Sequence, residues 1–322
     1  MGFYRLEEEM KKPALLILCA AIVAGMFTAC PQPQSGKTYI PLVSKGFQHQ
    51  FWQAVKQGAE QAAKDFDVEI NFIGPESESQ VDKQMEMLQT ELGKKPQALG
   101  FAALDSKAAI PLLEQARIPV IAFDSGVDSD IPLTTVSTNN KAAAALAADK
   151  MAEAIGGSGK VAVIVHDQTS RTGIERRDGF LERMASNYPN IQVVDVQYGL
   201  GDHLRSADIA KAVIAANPDL KGYYGANEGS AIGVVNAVNE LRISGQIFVI
   251  GFDSGKLQLD AIRSGLMYGA VQQNPVGMGY ETVAAAVRAL KGETLPSHID
   301  SGFVWADKDN LDTPEVQAVV YE

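Results

Sequence analysis

From Lys37 onward, short apolar runs rich in β-branched side chains alternate with longer segments in which apolar residues recur every three or four positions. Strands show their faces at a period of two and helices at 3.6, and strands alternating with helix-length segments define βαβ units and a parallel sheet. The pattern predicts strands over 38–44, 68–73, 98–103, 119–124, 160–165, 191–197, 222–226, 247–252 and 268–273. Several are apolar at successive positions, as a sheet covered by helices on both faces requires. FWQAVKQGAEQAAKDF, KAAAALAADKMAEAI, EGSAIGVVNAVNEL and GMGYETVAAAVRALKG carry the helical period and are the expected packing helices. The series runs twice, about four units up to Asp124 and four or more from Lys160 to Phe252, joined by 134–140. The expected fold class is α/β, with two doubly wound parallel-sheet lobes whose strand ends face each other across a cleft.

The first residues carry a different pattern. Residues 13–29, PALLILCAAIVAGMFTA, are uncharged and apolar, follow Lys11 and Lys12, and end at Cys30. The run is short for a bilayer span, and basic residues, an apolar stretch and small residues before a cut site make a secretory signal peptide. Phe27-Thr28-Ala29-Cys30 resembles a bacterial lipobox, in which the cysteine is lipidated and becomes the mature N-terminus, although Phe27 stands where an aliphatic residue is usual. The alternative is a plain signal peptide with an incidental cysteine. The polar PQPQSG that follows suits a tether, so residues 1–29 are read as a lipoprotein signal peptide, 30–36 as a tether and Cys30 as the lipidation site.

Charge and cysteine content remove whole classes of function. Lys and Arg number 28 against 39 Asp and Glu, a net charge of −11 that gives no electrostatic footprint for nucleic acid. Removing residues 1–29 takes three basic and three acidic residues and leaves the chain as acidic as before. The only cysteines, Cys19 and Cys30, precede the folded part, so thiols do no chemistry there. None of His49, His166, His203 and His298 pairs with another at metal-ligand spacing, and neither HExxH nor a GxSxG elbow occurs. GGSGK at 156–160 lacks the leading Gly and the trailing Ser or Thr of a phosphate loop, and GLGDHL and GMGYET lack the third Gly of a dinucleotide fingerprint. DKDNLD at 307–312 lacks the central Gly of a calcium loop and reads as a solvated acidic turn. No metal and no cofactor is expected.

What the chain does offer is polar and aromatic residues just past the carboxyl ends of strands, where open α/β sheets bind ligands. SKGFQHQFW follows the first strand, FDSG the fourth and DQTSRTGIERRDGF the strand ending at 165; GANEGSAIG, IGFDSG and VQQNP come later. This ordered set resembles the periplasmic sugar-binding proteins of the ribose-binding type, over essentially everything from Lys37 to about Trp305. The resemblance implies the type I periplasmic binding protein fold, with a three-strand hinge crossed near Thr138, Asn274 and Gly302. It places 37–138 plus 274–302 in an N-terminal lobe and 139–273 plus 303–322 in a C-terminal lobe.

The same resemblance implies ligand-binding roles for Phe51 and Trp52, as aromatics sandwiching a sugar ring, and for Asp124, Arg176, Asn227, Asp253 and Gln273, as partners of its hydroxyls. Ser44, His49, Ser125 and Thr138 complete the implied set. The chemistry suits these types, since carboxylates accept from vicinal hydroxyls, Arg donates, and Asn and Gln do both. Competing readings stay open: core packing for Phe51 or Trp52, helix capping for Asp124, Asp253 or Asn227, and Arg171 or Arg177 in place of Arg176 as the cleft-facing arginine. Ribose binders follow the fourth-strand Asp with Arg, where this chain has Ser125, and Ala102 replaces an Asn at the third strand end. A pentose, hexose, ketose or cyclitol all fit.

The resemblance thus implies a lipid-anchored, monomeric substrate-binding protein held outside the cytoplasmic membrane, which closes on a monosaccharide and delivers it to ABC permease subunits. A sensor presenting its closed form to a membrane receptor or sensor kinase is the alternative. A sugar-modifying enzyme would need an acid or base in the cleft, with Asp124 and Asp253 as the only obvious pair, and a repressor would need an N-terminal helix-turn-helix that is absent.

Overall fold

The computed structural model of the chain describes residues 36–322, so the residues read as a signal peptide, Cys30 and most of those read as a tether lie outside the described residues. The first sheet is built from β1 (Tyr39–Val43), β2 (Glu69–Ile73), β3 (Leu99–Phe101), β4 (Val120–Phe123), β5 (Thr134–Ser137) and β11 (His298–Asp300). The second contains β6 (Gly159–Val165), β7 (Ile191–Tyr198), β8 (Leu220–Gly225), β9 (Phe248–Phe252), β10 (Gly269–Gln273) and β12 (Phe303–Asp307). Their orders, β11-β5-β4-β3-β1-β2 and β12-β10-β9-β8-β6-β7, are the same pattern written twice. Each reverses direction beside its first strand, which puts the switch point at the carboxyl ends of β1 and β6. All the pairings are parallel except β10 with β12.

Both faces of both sheets are covered. In the first lobe α1 (Gln50–Asp65) and α9 (Pro275–Leu290) bury Trp52, Val55, Met278 and Val283 on one face, and Leu88 of α2 (Val81–Gly93) and Leu113 of α3 (Ile110–Ala116) lie on the other. In the second, α4 (Asn140–Ile155) and α5 (Arg171–Asn187) cover one face, while α6 (His203–Ala216), α7 (Glu228–Glu240) and α8 (Lys256–Ser264) cover the other, joined by α10 (Pro314–Gln317) beside β12. Burial on both sides explains runs such as Val161–Val165, in which no position is exposed.

The nine strands read from hydrophobic runs all form, with ends shifted by a residue or two. Three more form that the runs did not show. Thr134–Ser137, read only as a join, is the third parallel partner in line from β1, and β11 and β12 extend the sheet edges. The chain passes between the sheets three times, at 138–139 before α4, at Asn274 before α9 and at 301–302 between β11 and β12.

Candidate functional site

The two lobes meet through direct bonds on both sides of the cleft. On one side Gln48 Nε2 donates to the Gly201 carbonyl at 3.1 Å, and the Lys256 N–H donates to Gln50 Oε1 at 2.8 Å. On the other, the Arg171 N–H donates to Ser125 Oγ at 3.1 Å and the Ser106 N–H to the Thr169 carbonyl, also at 3.1 Å. The lobes are therefore closed on one another. Between these seams lies a cavity walled by Lys45, His49, Phe51, Trp52, Glu78 and Asp124 from the first lobe and His166, Arg176, Asn227, Asp253 and Gln273 from the second.

The wall is built from strand ends. Asp124 and Asp253 each follow the last residue of a strand, β4 and β9, within the same tetrapeptide Phe-Asp-Ser-Gly. Both have left-handed backbones, with φ of 56° and 78°. Asp is among the few non-glycine residues enriched there, and such backbone strain clusters at ligand sites. Asp253 Oδ1 accepts from Gln273 Nε2 at 2.6 Å and Oδ2 from the Glu228 N–H at 3.0 Å, with Arg176 Nη1 at 3.7 Å. Neither aspartate caps the helix that follows it. Asn227 both caps α7, accepting from the Ser230 N–H at 2.9 Å, and faces the cavity, so its two readings are compatible.

Arg176 is the buried arginine of its segment. Its guanidinium carbon lies 3.7 Å from the centre of the Phe252 ring, Nε donates to Asn140 Oδ1 at 2.8 Å and Nη1 to the Ala226 carbonyl at 3.0 Å. Arg171 and Arg177 point elsewhere, the first to Asp128 at 3.1 Å and the second to Asp178 and the Tyr198 hydroxyl. Phe51 and Trp52 pack edge to face at 5.0 Å, and Trp52 Nε1 donates to Glu78 Oε1 at 2.8 Å. That bond fixes the indole where one edge meets the core ring of Phe123 and the rest meets the cavity.

Three of the expected residues are not in the wall. Ser44 turns back beneath its own loop and donates to the carbonyls of Gly46 and Ile73. Ser125 is spent on the seam with Arg171, and Thr138 lies at a crossing beside Ser301 and Gly302. Conversely, Lys45, Glu78 and His166 line the cavity without having been singled out. The signal was available in part, because they follow β1, β2 and β6, and His166 comes directly after the last residue of its strand.

The electrostatics are those of a buried, polar pocket. Burial drives Lys45 towards neutrality, but the carboxylates of Asp124 and Glu78 outweigh it and raise its pKa. Its Nζ lies 3.2 Å from Asp124 Oδ2 and 4.0 Å from Glu78 Oε2. Burial dominates for Asp124 and lifts it above the usual carboxylate range despite Lys45 and Arg176. For Glu78 burial is again the largest single influence, yet Lys45, His49 and the Trp52 N–H together hold it below that range. Among the described residues no group of three or more His, Cys, Asp or Glu could hold a metal ion.

Glu228, on the cleft side of α7, gives a pH test of closure. Burial first, then the Asp253 carboxylate, pushes it from 4.5 up to about 8, although the N–H groups of Gln50 and Phe51 reach it across the cleft at 3.4 Å each. A raised acid stabilises the fold fully below its ordinary pKa and loses that contribution as pH climbs to the raised value. The gain is therefore present near pH 4.5 and lost by about pH 8. The stability difference between wild type and Glu228→Gln should change between about pH 4.5 and about pH 8, the variant gaining on wild type as pH rises. A difference in melting temperature that does not change with pH would contradict the assignment.

Two six-stranded lobes closing on a polar and aromatic cavity define a binding protein for a polar solute. Residues 40–294 match the periplasmic binding protein domain, and the chain belongs to that family, among its ribose-type sugar-binding members. It is 27% identical over 267 residues to the D-allose-binding periplasmic protein of Escherichia coli, covering 79% of this chain and 86% of that one. A carbohydrate transporter solute-binding protein from Agrobacterium radiobacter, solved with D-arabinose, superposes with a TM-score of 0.86 at 31% identity, covering 89% of this chain and all of that one. An ABC transporter solute-binding protein from Agrobacterium vitis, bound to α-D-tagatopyranose, gives the same TM-score at 32% identity, again covering 89% and 100%.

Proposed function

We propose that this protein binds one neutral monosaccharide in the cavity between its lobes and hands it to the permease of an ABC transporter. The observation that carries the reading is the wall itself: two aromatic rings from one lobe face Arg176, Asn227, Asp253 and Gln273 from the other. A sugar ring is apolar on its C–H face and polar at its rim, so an aromatic side opposed to a hydrogen-bonding side is complementary to it. The sugars named with the related structures are a pentose and a ketohexose, D-arabinose and α-D-tagatopyranose.

The eight expected residues that line the cavity, His49, Phe51, Trp52, Asp124, Arg176, Asn227, Asp253 and Gln273, are assigned to sugar contact. The three crossings act as a hinge between an N-terminal lobe of 37–138 plus 274–302 and a C-terminal lobe of 139–273 plus 303–322, with ligand contributing contacts that only the closed state has. The protein acts as a monomeric binder and not an enzyme, outside the cytoplasmic membrane. No helix of the described residues is long and apolar enough to cross a membrane. Lipid on Cys30, at the end of the lipobox-like Phe27-Thr28-Ala29-Cys30, holds the protein at the membrane.

A thermal-shift screen of monosaccharides, including D-arabinose, D-tagatose and D-allose, tests the sugar reading. A binder raises the melting temperature with concentration. A screen in which no sugar does so at millimolar concentration rules the reading out. Fractionation of wild type against Cys30→Ser tests the anchor, which predicts that the variant leaves the membrane.

A further inference from the structure

His166 is buried beside the cavity, and two of its features lack a role so far. Its Nδ1 is buried with no hydrogen-bond partner, and its Nε2 ends a chain of polar contacts that starts in the other lobe. Lys45 Nζ lies 3.0 Å from Thr172 Oγ1, and Thr172 Oγ1 lies 3.0 Å from His166 Nε2.

The direction of each bond follows from what each group can do. An ammonium has no acceptor, so Lys45 donates and Thr172 accepts. The one proton of Thr172 then goes to the nearer of its two remaining acceptors, His166 Nε2 at 3.0 Å rather than Ser170 Oγ at 3.2 Å. Ser170 Oγ lies 3.2 Å from Thr172 Oγ1 and 3.4 Å from His166 Nε2, but it donates to Asp167 Oδ2 at 2.8 Å and already accepts the Gly173 N–H. Asp167, 3.7 Å from Nε2, is occupied by the N–H groups of Thr169 and Ser170 together with the Ser170 hydroxyl. With Nε2 accepting from Thr172, a neutral imidazole carries its proton on Nδ1. Burial, and then the nearby cations Lys45 and Arg176, hold the ring well below its ordinary pKa and so keep it neutral.

We propose that His166 is a specificity-determining residue whose Nδ1–H donates to an oxygen of the bound sugar, and that Lys45 sets this tautomer through Thr172 only when the lobes are closed. The proposal rests on the sugar-binding reading of the cavity. It makes closure a step of recognition: the donor is presented in a fixed sense once the first lobe's ammonium reaches the second lobe's hydroxyl. It also defines what the ligand must offer there, a hydroxyl or ring oxygen able to accept. A sugar carrying an ammonium or a methyl group at that point meets a donor with nothing to receive it. Thr172 is a positioning residue, since it acts through the histidine.

The test combines nitrogen-15 NMR of the histidine rings with calorimetry, using whichever of D-arabinose, D-tagatose and D-allose binds wild type most tightly. Assignment of the His166 ring comes from the signal that vanishes in His166→Phe. In the sugar complex the ring should appear as the Nδ1–H tautomer, and Thr172→Val should mix or reverse it. His166→Phe should weaken binding about 10- to 100-fold, the loss expected when a buried acceptor is left without its donor. His166→Asn, which keeps an amide donor near the Nδ1 position, should recover most of that loss. An Nε2–H tautomer in the wild-type complex overturns the proposal without reference to any variant, and so does His166→Phe binding the sugar as wild type does. If no monosaccharide of the thermal-shift screen binds wild type, the sugar reading falls and this inference with it.

Discussion

Asp253→Ala should weaken sugar binding by roughly 30- to 5,000-fold in calorimetry, corresponding to about 2 to 5 kcal/mol. The carboxylate is buried and joins three elements at once, taking a hydrogen bond from Gln273 at the end of β10 and one from the first N–H of α7, beside the guanidinium of Arg176 on α5. Its removal deprives the ligand of an acceptor and leaves a buried cation with one fewer counter-charge, and the second effect supplies much of the cost. Asp253→Asn separates charge from backbone, because Asn also tolerates the φ of 78° that Ala resists. Binding by the Ala variant at wild-type affinity would remove Asp253 from the site.

The largest effect on stability is expected at Gly279. A Cβ added there would stand 1.9 Å from the Val55 carbonyl oxygen, and one added at Gly58 would stand 1.9 Å from that of Val276. Helices α1 and α9 thus touch backbone to backbone at reciprocal glycines. Gly279→Ala gains about 1 kcal/mol of helix propensity, but the neighbour it strikes is backbone and cannot rotate aside. Overpacking costs about 1 to 3 kcal/mol or more, so net destabilisation is expected, with the melting temperature falling by several degrees. Since α1 also carries Phe51 and Trp52, sugar affinity should fall too. Gly93→Ala, with nothing within 4 Å, is the control and should be neutral or stabilising. An unchanged melting temperature for Gly279→Ala would mean that the helices do not pack this closely.

The fold was legible where hydrophobic runs are long. Strands such as β6 and β9 are buried on both faces and announce themselves as continuous apolar stretches. β5 did not, because TTVS is four residues of mixed polarity whose place is fixed by its neighbours β4 and β11 and not by its own pattern. β11 is a three-residue edge strand whose exposed His298 and Asp300 read equally well as loop, whereas β12 is apolar at four of its five positions and its pattern was readable as a short strand.

The candidate site was legible as strand-end chemistry, and its two aspartates stood out because each follows an apolar strand. What sequence could not show was direction. Ser44 occupies the right position along the chain, yet its hydroxyl is satisfied by its own loop. His166 was weighed only as a metal ligand, although a single histidine at a strand end can serve recognition through its tautomer. Lys45 and Glu78 are far apart in sequence and acquire meaning only when the pairing of β1 with β2 brings them, with the Trp52 indole, into one network of the first lobe.

A crystal structure grown with the sugar that most raises the melting temperature tests the central claim most directly. The account predicts one sugar between the lobes, its ring against Trp52 and its hydroxyls on Asp124, Arg176, Asn227 and Asp253. Density for the sugar outside the cleft, with this cavity filled by side chains or water alone, would contradict it.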